Sequence, residues 1–263
     1  MIHNITILPG TNKTGKAENF DSLTLQAGET ISIVGPTGSG KTALITDIEL
    51  LAQGDTSTKR YILINDKAPD DEVRYDPTQK PIAMITQNTK CFADLSTKEF
   101  LKIHARARGI SGADVISQTI DLANVFTGEK ISSASKVTTL SGGQTRSLLI
   151  ADAILIGASP IILLDEIENA GIFKKDVIDM INGKGKIIVF VTHDPVIALS
   201  TQKRLILENG GVKKVLEQNE GELHAANELL EIDRRIGIIR DHLRAGNIIT
   251  RDLANLHAIS TFH

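Results

Sequence analysis

The chain has 263 residues, 41% hydrophobic and 23% charged, with a net charge of −3. That length suits one α/β domain with or without a small appendage, and the near-balanced charge with scattered basic residues argues against a nucleic-acid or anionic-membrane surface. One cysteine, Cys91, excludes an internal disulfide framework and fits a reducing compartment.

The N-terminal stretch "MIHNITILPG" has no basic region followed by an apolar run and a small-residue cleavage site, so no signal peptide is expected. "HNITIL" alternates like a strand, and "DSLTLQAGETISIVG" offers two short strands around the turn signal Ala27-Gly28. The second runs into a glycine-rich turn. "KTALITDIELLAQG" then has helical apolar spacing and stops at Gly54. "KRYILIND" and "KPIAMITQ" read as further strands. Short basic clusters such as Lys59-Arg60-Tyr61 and Asp233-Arg234-Arg235 read as solvated faces.

From Ser96 the pattern turns helical. Ser96 with Glu99 three residues on is a capping box, and "ADVISQTIDLANVF" continues helically, so 90–138 is expected to be a mostly helical insert. "TRSLLIADAILIG" is another helix, "PIILLDE" and "KGKIIVFVTH" are buried strands, and "KRLILENGGVKKVLE" is a hairpin turning at Gly210-Gly211. These apolar runs are too short to span a bilayer, which takes about 20 residues. Alternating strands and helices predict a parallel sheet covered on both faces.

The tail, 222–263, differs. Leu229, Ile232, Ile236, Ile239 and Leu243 recur at steps of 3, 4, 3, 4, an apolar stripe on one helix. "AGN" breaks it, and "IITRDLANLHAI" can return as a shorter helix. The pair packs on its own domain in the simplest reading; a dimer or partner contact is the sharper one.

Chemistry enters at 35–42, where "GPTGSGKT" matches G-x-x-x-x-G-K-[ST] between a buried strand and a helix. Gly35, Gly38 and Gly40 let the backbone, with Pro36, Thr37 and Ser39, bend around an anion. Lys41 reaches the β- and γ-phosphates, and the Thr42 hydroxyl suits Mg²⁺. Asp165 ends the strand "PIILLD", so its carboxylate emerges at the sheet edge where ligands bind, suited to a magnesium site. Glu166 is placed to polarise an attacking water.

The "LSGGQ" of 140–144 follows the helical insert and opens a helix. Here, over residues 1 to about 215, the chain resembles the ATP-binding cassette (ABC) ATPases. A serine hydroxyl and bare glycine amides at a helix start make a second anion site. The resemblance implies that Ser141, Gly142, Gly143 and Gln144 close over ATP held by a second ABC subunit, Ser141 and Gly143 touching its γ-phosphate. The functional unit is then a head-to-tail dimer, expected to be a homodimer, around two ATPs. It also implies that Gln87 senses Mg²⁺ and water and that His193 contacts the γ-phosphate.

The implied fold is a P-loop NTPase of ABC type. It has a mixed-sheet core (1–89 and 139–218), an antiparallel β subdomain, the helical insert 90–138 and a C-terminal helical extension, 222–263. "CFADLSTKE" resembles the segment with which import-type ATPases meet a permease, Cys91, Phe92, Leu95, Ser96 and Glu99 falling in register; the plainer alternative is that Phe92 and Leu95 pack the insert. The expected job is thus the ATP-binding subunit of a membrane transporter, cytoplasmic and held at the membrane by its permease. The alternative is a soluble ABC ATPase that remodels or reactivates a cofactor-dependent enzyme or another macromolecular partner.

Departures from the family pattern are specific. "IENAGI" replaces the usual P-T-S-A-L-D after Glu166. Ser147 and Asp152 stand where transporters commonly carry arginines. Residues 1–19 contain no aromatic to stack on adenine, leaving Ile7, Leu8, Pro9 or a displaced Phe20 for that place.

Overall fold

The computed structural model describes residues 2–76, 79–110, 112–157, 159–166 and 185–250. β1 (Asn4–Leu8) pairs antiparallel with β2 (Leu23–Gln26) on one side and β4 (Tyr61–Ile64) on the other, forming a three-stranded sheet. The main sheet has six strands in the order β5 (Ile82–Ile85), β6 (Ile161–Asp165), β7 (Ile187–Val191), β3 (Thr30–Val34), β8 (Lys203–Glu208), β9 (Gly211–Glu217). All neighbours in it are parallel except β8 and β9. The two strands flanking Ala27-Gly28 therefore do not form a hairpin. The turn carries the chain from the small sheet into the large one.

The central strands read as unbroken apolar runs because both faces are covered. Successive side chains of a strand point to opposite faces. Accordingly Ile161 and Leu163 of β6, with Ile187, Val189 and Val191 of β7, enter one core, shared with the small sheet and α1 (Lys41–Glu49). Ile162 and Leu164, with Ile188 and Phe190, enter the other. That second core is built from α3 (Thr97–Ala107), α4 (Ala113–Val125), α5 (Gly142–Leu155) and α6 (Pro195–Ser200). α3 starts at the expected capping box. Ser96 Oγ accepts from the Glu99 amide, and Glu99 Oε2 accepts from the Ser96 amide at 3.1 Å. A short helix, α2 (Asp71–Tyr75), and α6, started by Asp194 accepting from the Val196 and Ile197 amides, carry too little periodicity to be read from sequence.

Four expectations change. α1 ends at Glu49, not at Gly54. Leu51 takes a left-handed φ of 50° and its N–H bonds to the Ile48 carbonyl, which turns Leu51 and Ala52 into the core. The β8–β9 turn is Asn209-Gly210, with φ of 52° and 84°, while Gly211 already belongs to β9. A two-residue hairpin turn with both central φ values positive suits Asn-Gly.

Arg60 is not on a solvated face. It is 0% exposed, because two buried carboxylates, Glu18 and Asp47, receive its guanidinium. Finally, the apolar stripe lies on α7 (Glu220–Arg244), but Ile232, Ile236 and Leu243 are exposed. α7 contacts α6. Six residues of α6 span about 9 Å and cannot cover a 25-residue helix of about 37 Å. The expected "AGN" break is present, with Gly246 at φ 76°. Most of "IITRDLANLHAI" lies outside the described residues.

Candidate functional site

The strand order brings the motifs to one edge. β5, β6, β7 and β3 are parallel neighbours, so the segments leaving their C-terminal ends lie side by side. Gln87 follows β5. Asp165 ends β6 and Glu166 follows it. His193 follows β7, and residues 35–42 follow β3. Ligands of open α/β sheets bind at this edge.

Gly35, Gly38 and Gly40 have φ of 159°, 79° and 103°. Gly38 and Gly40 lie well within the left-handed range that glycine alone adopts freely. Gly40 also admits no side chain, since a Cβ there would stand 2.8 Å from Gly210 Cα. It precedes α1 and gives it no side-chain cap, so the first amides of α1 are open to an anion. Lys41 Nζ donates to the carbonyls of Gly35 (2.7 Å) and Pro36 (3.2 Å), which holds the ammonium over the loop. Pro36, Thr37 and Gly38 are exposed, Ser39 is buried and Thr42 is exposed in the first turn of α1.

Glu166 adopts φ 51°, unusual for a residue with a side chain and the kind of strain that clusters at functional sites. Its N–H bonds to the Val191 carbonyl, which ties it to the end of β7. The result is a contact: Glu166 Oε1 lies 3.4 Å from His193 Nε2, both side chains partly exposed. The Thr192 N–H bonds to Ile33 O, so the residue before His193 is fixed to the strand that launches the glycine loop. The "IENAGI" loop lies outside the described residues.

Ser141 is the N-cap of α5. Its Oγ accepts from the Gln144 amide at 3.3 Å, and Gln144 Oε1 accepts from the Ser141 amide at 2.9 Å. Gln144 thus caps the helix instead of pointing away, while Gly142 and Gly143 form its first turn with their amides unblocked by side chains. While accepting from the Gln144 amide, the Ser141 hydroxyl can still donate its own proton.

Arg146, two residues further along the same helix, is a site feature the motifs do not signal. Its Nη1 donates to the Gln87 carbonyl at 2.6 Å, joining the start of α5 to the segment after β5. Burial pushes its guanidinium down, and among the described residues its Nε has no partner. The two departures behind it are buried: Ser147 Oγ has no partner among the described residues, and Asp152 Oδ2 lies 2.9 Å from His104 Nδ1 on α3. Of the substitutes weighed for an adenine-stacking aromatic, Ile7 is 2% exposed and Phe20 packs against the core.

A glycine loop on a central parallel strand, a helix opening at its lysine and carboxylates ending the next-but-one strand define a P-loop nucleotide-binding protein. A family described as ABC transporter matches residues 19–169. An uncharacterized ABC transporter ATP-binding protein of Methanocaldococcus jannaschii is 44% identical over 251 residues, covering 95% of this chain and 96% of that one. The thiamine import ATP-binding protein ThiQ of Brucella suis is 30% identical over 203 residues, covering 74% and 80%. The chain belongs to the ABC transporter family. Its fold is similar to a solved ATP-binding subunit of an ABC transporter (TM-score 0.60, 21% identity, 89% of this chain and 99% of that one). It is also similar to an ATP-binding cassette solved in its ADP conformation (TM-score 0.58, 18% identity, 85% and 94%).

Proposed function

We propose that the chain is the ATP-binding subunit of a membrane transporter. Two copies close head-to-tail around two ATPs, hydrolyse them, and drive a permease at the cytoplasmic face. The observation that carries the reading is the meeting of Glu166 and His193, 3.4 Å apart, at the sheet edge shared by the glycine loop.

The residues fit the cofactors. Left-handed glycines and an uncapped helix start suit a polyphosphate. The candidate metal donors, the Thr42 hydroxyl, the Asp165 carboxylate and the Gln87 amide, are all oxygens, as a hard cation requires. Among the described residues no cluster of three His, Cys, Asp or Glu side chains could hold a metal. That suits an ion arriving on the nucleotide better than one caged by protein. Bound Mg²⁺, held by Thr42, Asp165 and Gln87, would offset the negative charge of the polyphosphate.

The chain's own groups supply the rest. Loop amides and Lys41 orient the phosphates. Glu166 accepts a proton from the attacking water, and His193 holds Glu166 in place and contacts the γ-phosphate. Ser141 and the amides of Gly142 and Gly143 complete the site of the second copy, which gives the nucleotide a higher affinity for the closed state and lets closure do work.

Phe92 supports the permease over a soluble partner. Leu95 packs against the insert core, but Phe92 is 85% exposed beside it, as a docking residue and not an insert filler would be. The ThiQ similarity supports the same reading. The test is ATP turnover by the wild type and Glu166→Gln. A loss of about 100-fold or more is expected for a general base. Equal rates would remove Glu166 from that role.

A further inference from the structure

A second cation stands at the glycine loop. Residues 10–18 form a small hairpin between β1 and β2, closed by the Thr11–Ala17 bridge. Asn12 Oδ1 accepts from the Thr14 amide and hydroxyl and from the Lys16 amide, which stiffens its tip. The base of the hairpin is anchored by Glu18, whose carboxylate accepts from the Gly10 and Val212 amides and from Arg60. Arg60 Nη2 also donates to Gly210 O, and the Gly210 amide donates to Ser39 O inside the glycine loop. The hairpin, the β8–β9 turn and the loop are thus one hydrogen-bonded body.

Lys13 occupies the point where the three meet. Its backbone N–H donates to Asn209 O at 3.1 Å. Its stem lies over Gly210, where a Cβ would fall 2.5 Å from Lys13 Cγ. Its Nζ donates to Gly38 O at 2.6 Å. Among the described residues no carboxylate pairs with it. An ammonium has three protons to donate, and its strong acceptors are anions. A lysine without a counter-ion, seated on a rigid mount 2.6 Å from the loop, has the incoming polyphosphate as its natural partner.

We infer that Lys13 is a nucleotide-binding residue. It is a second ammonium beside Lys41, reaching the phosphate chain of a nucleoside triphosphate from the loop's outer lip. The inference rests on the loop's being the ATP site, as proposed above. A contact to phosphate carries no information about the base, and residues 2–19 contain no Phe, Tyr or Trp. The segment therefore adds affinity through charge and little discrimination between adenine and guanine.

The test is equilibrium binding of Mg-ATP, Mg-GTP and tripolyphosphate to the full chain at low and high salt, for the wild type, Lys13→Ala, Lys13→Arg and Lys41→Ala. Lys13→Ala is expected to weaken all three ligands alike, by about 5- to 10-fold at low salt and less at high salt. Lys13→Arg should restore most of the loss, and the melting temperature of the nucleotide-free protein should not move. Unchanged affinities in Lys13→Ala, or a loss confined to ATP, would overturn the inference. If Lys41→Ala also binds normally, the ATP-site reading itself falls. If Lys41→Ala loses binding and Lys13→Ala does not, only the role of Lys13 falls.

Discussion

Two arginines flank the nucleotide edge of the main sheet, and their surroundings are opposite. Arg60 is enclosed, and among the described residues its guanidinium makes four hydrogen bonds. Nε and Nη2 form a fork on Glu18 at 2.9 and 2.7 Å, Nη1 meets Asp47 at 2.8 Å, and Nη2 also reaches Gly210 O at 3.0 Å. Burial alone would push its guanidinium down, but the Glu18 and Asp47 contacts outweigh that and leave it raised. Arg146 is also buried, yet among the described residues it holds one carbonyl, that of Gln87, and Nε finds no partner. The first arrangement makes a fixed mount for the glycine loop. The second is a joint that links the start of α5 to the segment after β5 through one bond among the described residues. The cycle of closing and opening proposed above would use both: a rigid grip on the phosphates, and a link between the α5 start and the segment after β5 that can rearrange.

The largest effect should come from breaking the mount. Arg60→Met leaves Glu18 and Asp47 buried without their counter-charge, a loss of about 3–5 kcal/mol. In a protein of this size that corresponds to a fall of roughly 10 °C in melting temperature. A melt within 2 °C of the wild type would mean that the triad is not the anchor described above. The joint should behave otherwise. Arg146→Met removes a desolvated charge and leaves no carboxylate behind, so stability should stay within about 1 kcal/mol. ATP turnover should fall several-fold, because the Gln87 backbone loses its tether. Measured side by side, the two variants should separate cleanly, one by calorimetry and the other by turnover. A large stability loss in Arg146→Met would erase the contrast.

The same contrast shows what the sequence could and could not tell. The glycine loop, Asp165-Glu166 and His193 were readable because each is a short local pattern at the end of an apolar strand, and parallel pairing does the rest. Arg60 was not. In "TKRYI" it looks like any solvated base, and its partners are 42 and 13 residues away along the chain. Ion networks of that span leave no local periodicity. Arg146 fails for a related reason, since its acceptor is a backbone carbonyl 59 residues away and a carbonyl has no sequence signature. The α7 stripe was legible as a pattern, but a pattern does not state what covers it, and the six-residue α6 is too short to cover it.

A smaller effect is expected from pH, and its sign follows from Glu18. Burial raises its carboxyl, but Arg60 and the amides of Gly10 and Val212 more than offset this and hold it below the ordinary 4.5. A carboxyl depressed in the folded state stabilises fully above its unfolded value and loses that contribution as pH falls through the folded one. The wild type should therefore outmelt Glu18→Gln at pH 7, and the gap should narrow steadily below about pH 4.5. A constant gap from pH 7 to pH 3 would place the stabilisation elsewhere.

The smallest effect on the isolated chain belongs to Phe92, and the smallness is the argument. A phenylalanine that filled the insert core would cost about 3–5 kcal/mol when truncated. Phe92 is 85% exposed, so Phe92→Ser removes almost no buried surface, and melting and basal ATP turnover should match the wild type. Exposed as it is, the ring has a use only if something covers it. Its neighbours Cys91, Ala93 and Leu95 already pack against the insert core and fix the segment on which it stands. Reconstituted with the proposed permease, Phe92→Ser should lose permease-stimulated turnover while the unstimulated rate persists. If stimulation survives the substitution, the permease docks elsewhere, and the exposed ring loses the role that distinguishes this flank from a packed one.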